Sequence, residues 1–315
     1  MRRPGGPRGP WLNALLLLAT CATTLVSGWV LAAPEGAAFT PAEVLRLGWP
    51  HAAALVGILG AHELGHWALA RWHGVDTSLP YFIPGPPQPF GVGTFGAVMR
   101  MREVPPSRRA TLDVGVAGPI AGFAVALPLL LWGLAHSTLV PAEAIAPSGL
   151  DSPWDHLLAW WSGRPAAAAA EEGPALIALG DSLITRGAQW AVWGRLPPGQ
   201  ELLLHPVAYA AWLGMLVTAL NLVPIGQLDG GHLVYALAGR ARAERFSRAA
   251  AWALLGCGLF VSTSWLVWWV LARWVVGPRH PPAWDERPLD RPRAALAVAG
   301  LALFVLTFVP VPFAS

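Results

Sequence analysis

Five runs of mostly apolar residues, at 11–33, 50–71, 111–135, 203–225 and 249–276, constrain this 315-residue chain more than any other feature. The hydrocarbon core of a bilayer takes about 20 helical residues to cross, and a helix satisfies its backbone polar groups internally. A sixth run, 294–313, is slightly shorter. Charged residues make up 12% of the chain, against about 25% in soluble domains, and the mean hydropathy is +0.48. These features predict an all-α polytopic membrane protein with about six transmembrane helices. The first run follows a basic "MRRPGGPR" and ends near "VLAA", as a signal peptide would, but its length favours a retained anchor.

Arginine supplies all the basic charge: there are 21 Arg and no Lys, and the net charge is +3. No cluster resembles a nucleic-acid patch, so no nucleic-acid partner is expected, and the lipid bilayer is the expected surrounding. Arginine beside apolar runs is better read as an orientation signal. Three Arg precede the first run, five lie in 71–110 and four in 240–248, whereas 136–202 carries three alongside seven acidic residues. The N-terminus, 71–110 and 240–248 are therefore expected in the cytoplasm and 136–202 outside. The segment 273–293 carries five Arg where simple alternation predicts the outside.

Two connecting segments have their own character. "SLPYFIPGPPQPFGVGTFGAVMRM" (78–101) holds two extended-looking runs around a Pro- and Gly-dense centre, which excludes a helix and favours a hairpin or loop. Within 136–202, low-complexity "RPAAAAAEEGP" precedes "ALIALGDSLITRGAQWAVWG", which reads as an interfacial or re-entrant helix. Cys21 and Cys257 both fall in apolar runs and supply no disulfide framework or metal-binding pair.

The second run contains "HELGH", placing His62, Glu63 and His66 in a frame apolar enough for lipid. Residues i and i+4 share a helix face, so both imidazoles reach one ion, and Glu63 stands close enough to activate water. Ionisable groups inside a span are costly and mark function, and a bound cation satisfies all three together. A catalytic zinc keeps three protein ligands and one open position. The third ligand is sought in "LVTALNLVPIGQLDGGHLVYAL" (216–237), where Asp229 stands among Pro224, Gly226, Gly230 and Gly231. Pro and Gly break a helix and free its backbone groups, which membrane depth tolerates only around a cavity or protein. The bland alternative is a cytoplasmic turn. His232 fits a supporting or a fourth contact equally with a hydrogen-bonded histidine at the membrane edge. Asn221 fits an oxyanion donor or a bridge between two helices.

Together these residues resemble the site-2 protease family of intramembrane metalloproteases. That family pairs HExxH in one span with N-x-x-P-x-x-x-L-D-G in a later one, here Asn221, Pro224, Leu228, Asp229 and Gly230. "GTFGAVMRMR", "DVGVAGPIAGF" and "HPVAYAAWLGMLVTALNLVPIGQLDGGH" look like the branch found in cyanobacteria, other bacteria and plant plastids. Neither connecting segment looks like the PDZ domain that many bacterial relatives carry. The resemblance implies a three-helix catalytic core and a membrane-associated β-hairpin. It also implies one Zn2+ per chain held by His62, His66 and Asp229, with Glu63 as general base and Asn221 at the oxyanion. The implied function is cleavage of transmembrane protein substrates near the cytoplasmic side. The expected division is an anchor and linker over 1–49, a metalloprotease core over 50–240 and C-terminal spans over 241–315. A bacterial inner membrane is the expected location. A plastid is not, because a short basic tail and a span open the chain. The alternatives are a membrane metal transporter or sensor, for which Glu63 is superfluous, and a catalytically silent scaffold.

Overall fold

The computed structural model describes residues 10–34, 36–88, 91–146 and 179–313, together with 152–154, 157, 161, 176 and 177. The "RPAAAAAEEGP" segment lies outside them. Helices α1 (Trp11–Ala32), α2 (Pro41–Trp72) and α3 (Arg108–Ala135) are each long and apolar enough to cross a membrane. Thr40 starts α2 by accepting a hydrogen bond from the Glu43 N–H, with Pro41 in the first turn. Gly74 ends it at a φ of 72°, where its N–H reaches back to the Arg71 carbonyl. Ser107 caps α3 by accepting from the Ala110 N–H.

Between α2 and α3 lies the expected hairpin. Strand β1 (Tyr81–Pro84) pairs antiparallel with β2 (Thr94–Val98), with Tyr81 opposite Val98 and Pro84 opposite Thr94. Side chains of α1 hold it. Asn13 Nδ2 donates to the Leu79 and Pro80 carbonyls, and Thr23 Oγ1 donates to the Gly93 carbonyl.

The remaining apolar runs depart from single spans. The run at 203–225 forms α4 (Pro206–Asn221), and the chain then turns at 222–228 before α5 (Asp229–Ala238). The run at 249–276 is two helices. After α6 (Arg240–Phe260) the chain turns at 261–263 and packs back as α7 (Ser264–Val270), continued by a π turn over Leu271–Val276. The turn is closed by the Val261 and Ser262 N–H groups, both on the Cys257 carbonyl. Gly258 meets Leu266 so closely that any side chain there clashes. A last helix, α8, spans Arg291–Thr307. Six full-length spans are therefore not what the described residues show: three helices are both long and apolar enough, α6 has 21 residues but is too polar, and the other apolar runs are shorter or interrupted. The expected interfacial helix is confined to Leu183–Trp193, while Leu176–Ile177 pairs in parallel with Ile145–Ala146.

Two ends of the bundle are well defined. At one, the Arg108 side chain donates to the Ala236 and Glu286 carbonyls, and Asp113 bridges His73 and Arg293. At the other, the Trp193 and Trp212 indoles donate to the Leu134 and Gly180 carbonyls, and Trp265 to that of Pro310. Because α6 and α7 form a hairpin, 277–293 returns to the end that holds 71–110 and 240–248. The five arginines that violate simple alternation thus lie with the other Arg-rich segments. The core between the ends joins Ile58, Ala126, Ala211 and Met215 from α2, α3 and α4, and Leu112, Val116, Leu233 and Leu303 from α3, α5 and α8.

Candidate metal centre

α2 presents His62 and His66 on one face, both buried, as is Glu63. The turn at 222–228 brings Asp229 to meet them from the start of α5. Its geometry depends on the glycines of "GQLDGG". Gly226 takes a φ of +52°, a region open to Gly at no steric cost. A side chain at Gly230 or Gly231 would drive into the Leu222 or Gly226 backbone. The Ser247 hydroxyl accepts from the Gly226 N–H and pins the turn to α6.

Three donor atoms result. His62 Nε2 and His66 Nε2 lie 3.1 Å apart, and each is 3.3 Å from Asp229 Oδ2. In a tetrahedron around an ion bound at about 2.0–2.1 Å, the zinc–imidazole distance, each edge is about 3.3–3.4 Å. The observed triangle has nearly those edges. The proton positions agree. His66 Nδ1 is 2.7 Å from the Val114 carbonyl, which accepts, so the proton sits on Nδ1 and the Nε2 lone pair faces the triangle. Asn221 Nδ2 lies 3.2 Å from His62 Nε2, a donor group beside a nitrogen whose one lone pair is free for either the amide or an ion, while His62 Nδ1 is buried without a partner among the described residues. Lone pairs facing one another at this spacing repel unless a cation sits between them. The residues therefore fit a divalent ion.

Helix α3 supplies no donor but makes the room. Gly115, Gly118 and Gly122 stand at i, i+3 and i+7 on one face, and each faces a histidine. A Cβ at Gly115 would lie 2.8 Å from His232 Cβ, one at Gly118 would lie 2.5 Å from His66 Cε1, and one at Gly122 would lie 3.2 Å from His62 Cβ. Gly65, inside HELGH, lets α2 reach the α3 backbone, since a Cβ there would stand 2.6 Å from the Ala117 carbonyl oxygen.

Sequence reasoning missed one residue altogether. His280, in the loop before α8, is buried with Nε2 2.7 Å from His232 Nδ1, and its own Nδ1 is 2.7 Å from the Pro281 carbonyl. Burial holds the His280 pKa below the ordinary histidine value, against the weaker pull of the Pro281 hydrogen bond. A neutral His280 that donates from Nδ1 must accept at Nε2, so His232 carries its proton on Nδ1. Tyr235 stacks on His280 at a ring distance of 4.0 Å, and its hydroxyl donates to Glu286. No local pattern in a Pro-rich loop announces such a partner. The close spacing of Gly115, Gly118 and Gly122 was a visible signal, though it reads equally as ordinary helix contact.

Residues 50–263 match the family described as Peptidase family M50. The chain is 32% identical over 278 residues to "Probable zinc metalloprotease EGY2, chloroplastic" of Arabidopsis thaliana, covering 88% of this chain and 44% of that protein. It is 27% identical over 264 residues to "Probable zinc metalloprotease EGY1, chloroplastic" of Oryza sativa subsp. japonica, covering 83% and 40%. To "Probable zinc metallopeptidase EGY3, chloroplastic" of Arabidopsis thaliana it is 28% identical over 312 residues, covering 95% and 49%. The chain thus spans less than half the length of these curated relatives. No solved structure matches it.

Proposed function

The chain belongs to peptidase family M50, and from that premise we propose that it is a zinc endopeptidase that hydrolyses peptide bonds of membrane-spanning substrates near the Arg-rich, cytoplasmic end. The observation that carries this reading is the triangle of His62 Nε2, His66 Nε2 and Asp229 Oδ2, beside a buried Glu63 and on a helix long and apolar enough to cross a membrane. Residues 50–240 form the catalytic core in this reading, 1–49 the anchor and linker, and 241–315 the C-terminal spans.

His62, His66 and Asp229 hold the ion, and the Val114 carbonyl fixes the His66 ring. When bound by these three residues, zinc would supply the Lewis acidity that polarises a scissile carbonyl. Glu63 takes a proton from the attacking water and passes it to the leaving amine. Asn221 Nδ2, already against His62, donates to the carbonyl oxygen as negative charge develops there. A substrate helix keeps its carbonyls bonded internally, so it must unwind before it can be cut. The edge of β2 away from β1, unpaired among the described residues, can receive the unwound strand by backbone hydrogen bonding, and α1 anchors the hairpin as a whole through Asn13 on the Leu79 and Pro80 carbonyls and Thr23 on the Gly93 carbonyl.

Residence in a membrane rests on the three candidate spans. The expectation of a bacterial inner membrane gains no support from the curated relatives, whose names are chloroplastic. The test measures zinc content and cleavage of single-span substrates in detergent for wild type and Glu63→Gln. Zinc in both with cleavage by wild type alone is expected. Metal-dependent function unaffected by Glu63→Gln would overturn the proteolytic reading in favour of transport or sensing.

A further inference from the structure

An apolar cavity of about 50 Å³ lies between the turn that follows α4 and the α6–α7 hairpin. Leu220, Val223, Leu228, Leu254, Trp268 and Ala272 contribute to its walls, and Asn221 is its one polar lining residue. Since Asn221 Nδ2 also stands 3.2 Å from His62 Nε2, the cavity and the metal centre share a wall. Trp268 and Ala272 lie beyond residues 50–263 matched by the family. One wall of the cavity therefore comes from a part of the chain outside the matched residues, and the other from within them.

A void lined by apolar groups stays dry and binds apolar groups of matching size, and a cavity of about 150 Å³ is what admits benzene. The space beside Asn221 is a third of that. It suits an aliphatic side chain and excludes a phenyl ring. A peptide whose carbonyl oxygen accepts from Asn221 brings its flanking side chain close to the residue that lines the cavity.

We propose that this cavity reads one substrate side chain flanking the scissile bond, accepting small aliphatic residues and refusing aromatic ones. The inference rests on the proteolytic reading above. Single-span substrates that differ only at the flanking residues (Gly, Val or Phe), with cleavage positions read by mass spectrometry, test it in the full chain. Wild type is expected to prefer Val over Phe by about 10-fold or more in kcat/KM, the discrimination an apolar pocket can supply. Trp268→Ala opens the cavity and should bring Phe to within a few-fold of Val. Ala272→Leu fills it and should lower the Val-to-Gly ratio by about 10-fold. Trp268 is 37% exposed, so its truncation does not remove a fully buried anchor, and one variant remains informative if the other fails to fold. Three enzymes that hold zinc and cleave with one unchanged ranking would overturn the pocket and leave the protease standing. A zinc-loaded wild type that cuts none of the substrates, flanking Gly included, would count against the protease itself and the pocket with it.

Discussion

Replacing Gly118 with alanine adds a single methyl group on a helix that contributes no donor atom, yet it should empty the metal centre. The added Cβ would lie 2.5 Å from His66 Cε1, and closer still to Nε2 and Cδ2. Non-bonded carbons rest at about 3.5–4.0 Å, so the ring must retreat by about 1 Å. Metal–ligand distances tolerate about ±0.2 Å, far less than that retreat. The helices have little slack to share the shift, because Gly65 already lies against the Ala117 carbonyl. Zinc affinity should fall by at least about 100-fold, the upper end of what disturbing a ligand's support costs. Gly122→Ala is the matched control. Its Cβ comes to 3.2 Å from His62 Cβ, a conflict of a few tenths of an ångström, and the loss should stay within about 10-fold. In a helix interior alanine is otherwise favoured over glycine by about 1 kcal/mol, so the sign separates the cradle from generic helix packing. Zinc per chain and chelator competition on detergent-purified protein give the answer. Gly118→Ala binding zinc as tightly as wild type would refute the reasoning.

Asn221→Ala should keep zinc and lower kcat by about 100- to 1,000-fold, as loss of one oxyanion donor does, with KM little moved in steady-state kinetics. Gly226→Ala forces a side chain into a left-handed backbone and against the Gly277 carbonyl oxygen, with Val276 Cγ1 3.0 Å away. It should destabilise the fold by about 1–3 kcal/mol, seen as a lower Tm. Because burial keeps the His280 pKa low, the unfolded chain binds a proton below about pH 6.5 that the folded chain refuses. Its contribution to stability is complete above that pH and is lost as pH falls, so His280→Asn should flatten the acid limb of a stability profile measured by thermal denaturation.

Legibility in the sequence followed distance along the chain. His62 and His66 are one helical turn apart, and their meeting needs only the pitch of a helix. Asp229 was found by its frame, since a carboxylate amid Pro and Gly in an apolar run makes sense only near a cavity. The hairpin at 81–98 announced itself through turn residues, and α1, α2 and α3 through length and apolarity. Apolarity alone does not say where a helix turns back, so 249–276 read as one span although Gly258 and the 261–263 turn fold it in two. The His232–His280 pair was invisible because 48 residues separate its members. The glycines of α3 were conspicuous, but an absent side chain carries no mark of the imidazole that needs its space.

If the C-terminal part of the chain enters a bilayer, that folded-back hairpin bears on how it does so. A single span over 249–276 would oblige the five arginines of 273–293 to be carried across the hydrocarbon core, at about 2.5–3.5 kcal/mol for each charge at its centre. Were α6 and α7 to enter together as one wedge, those arginines would stay on the side on which α6 begins. The turn at the tip of that hairpin, Val261 to Thr263, carries no charge, so the leading end of such a wedge would be cheap to move.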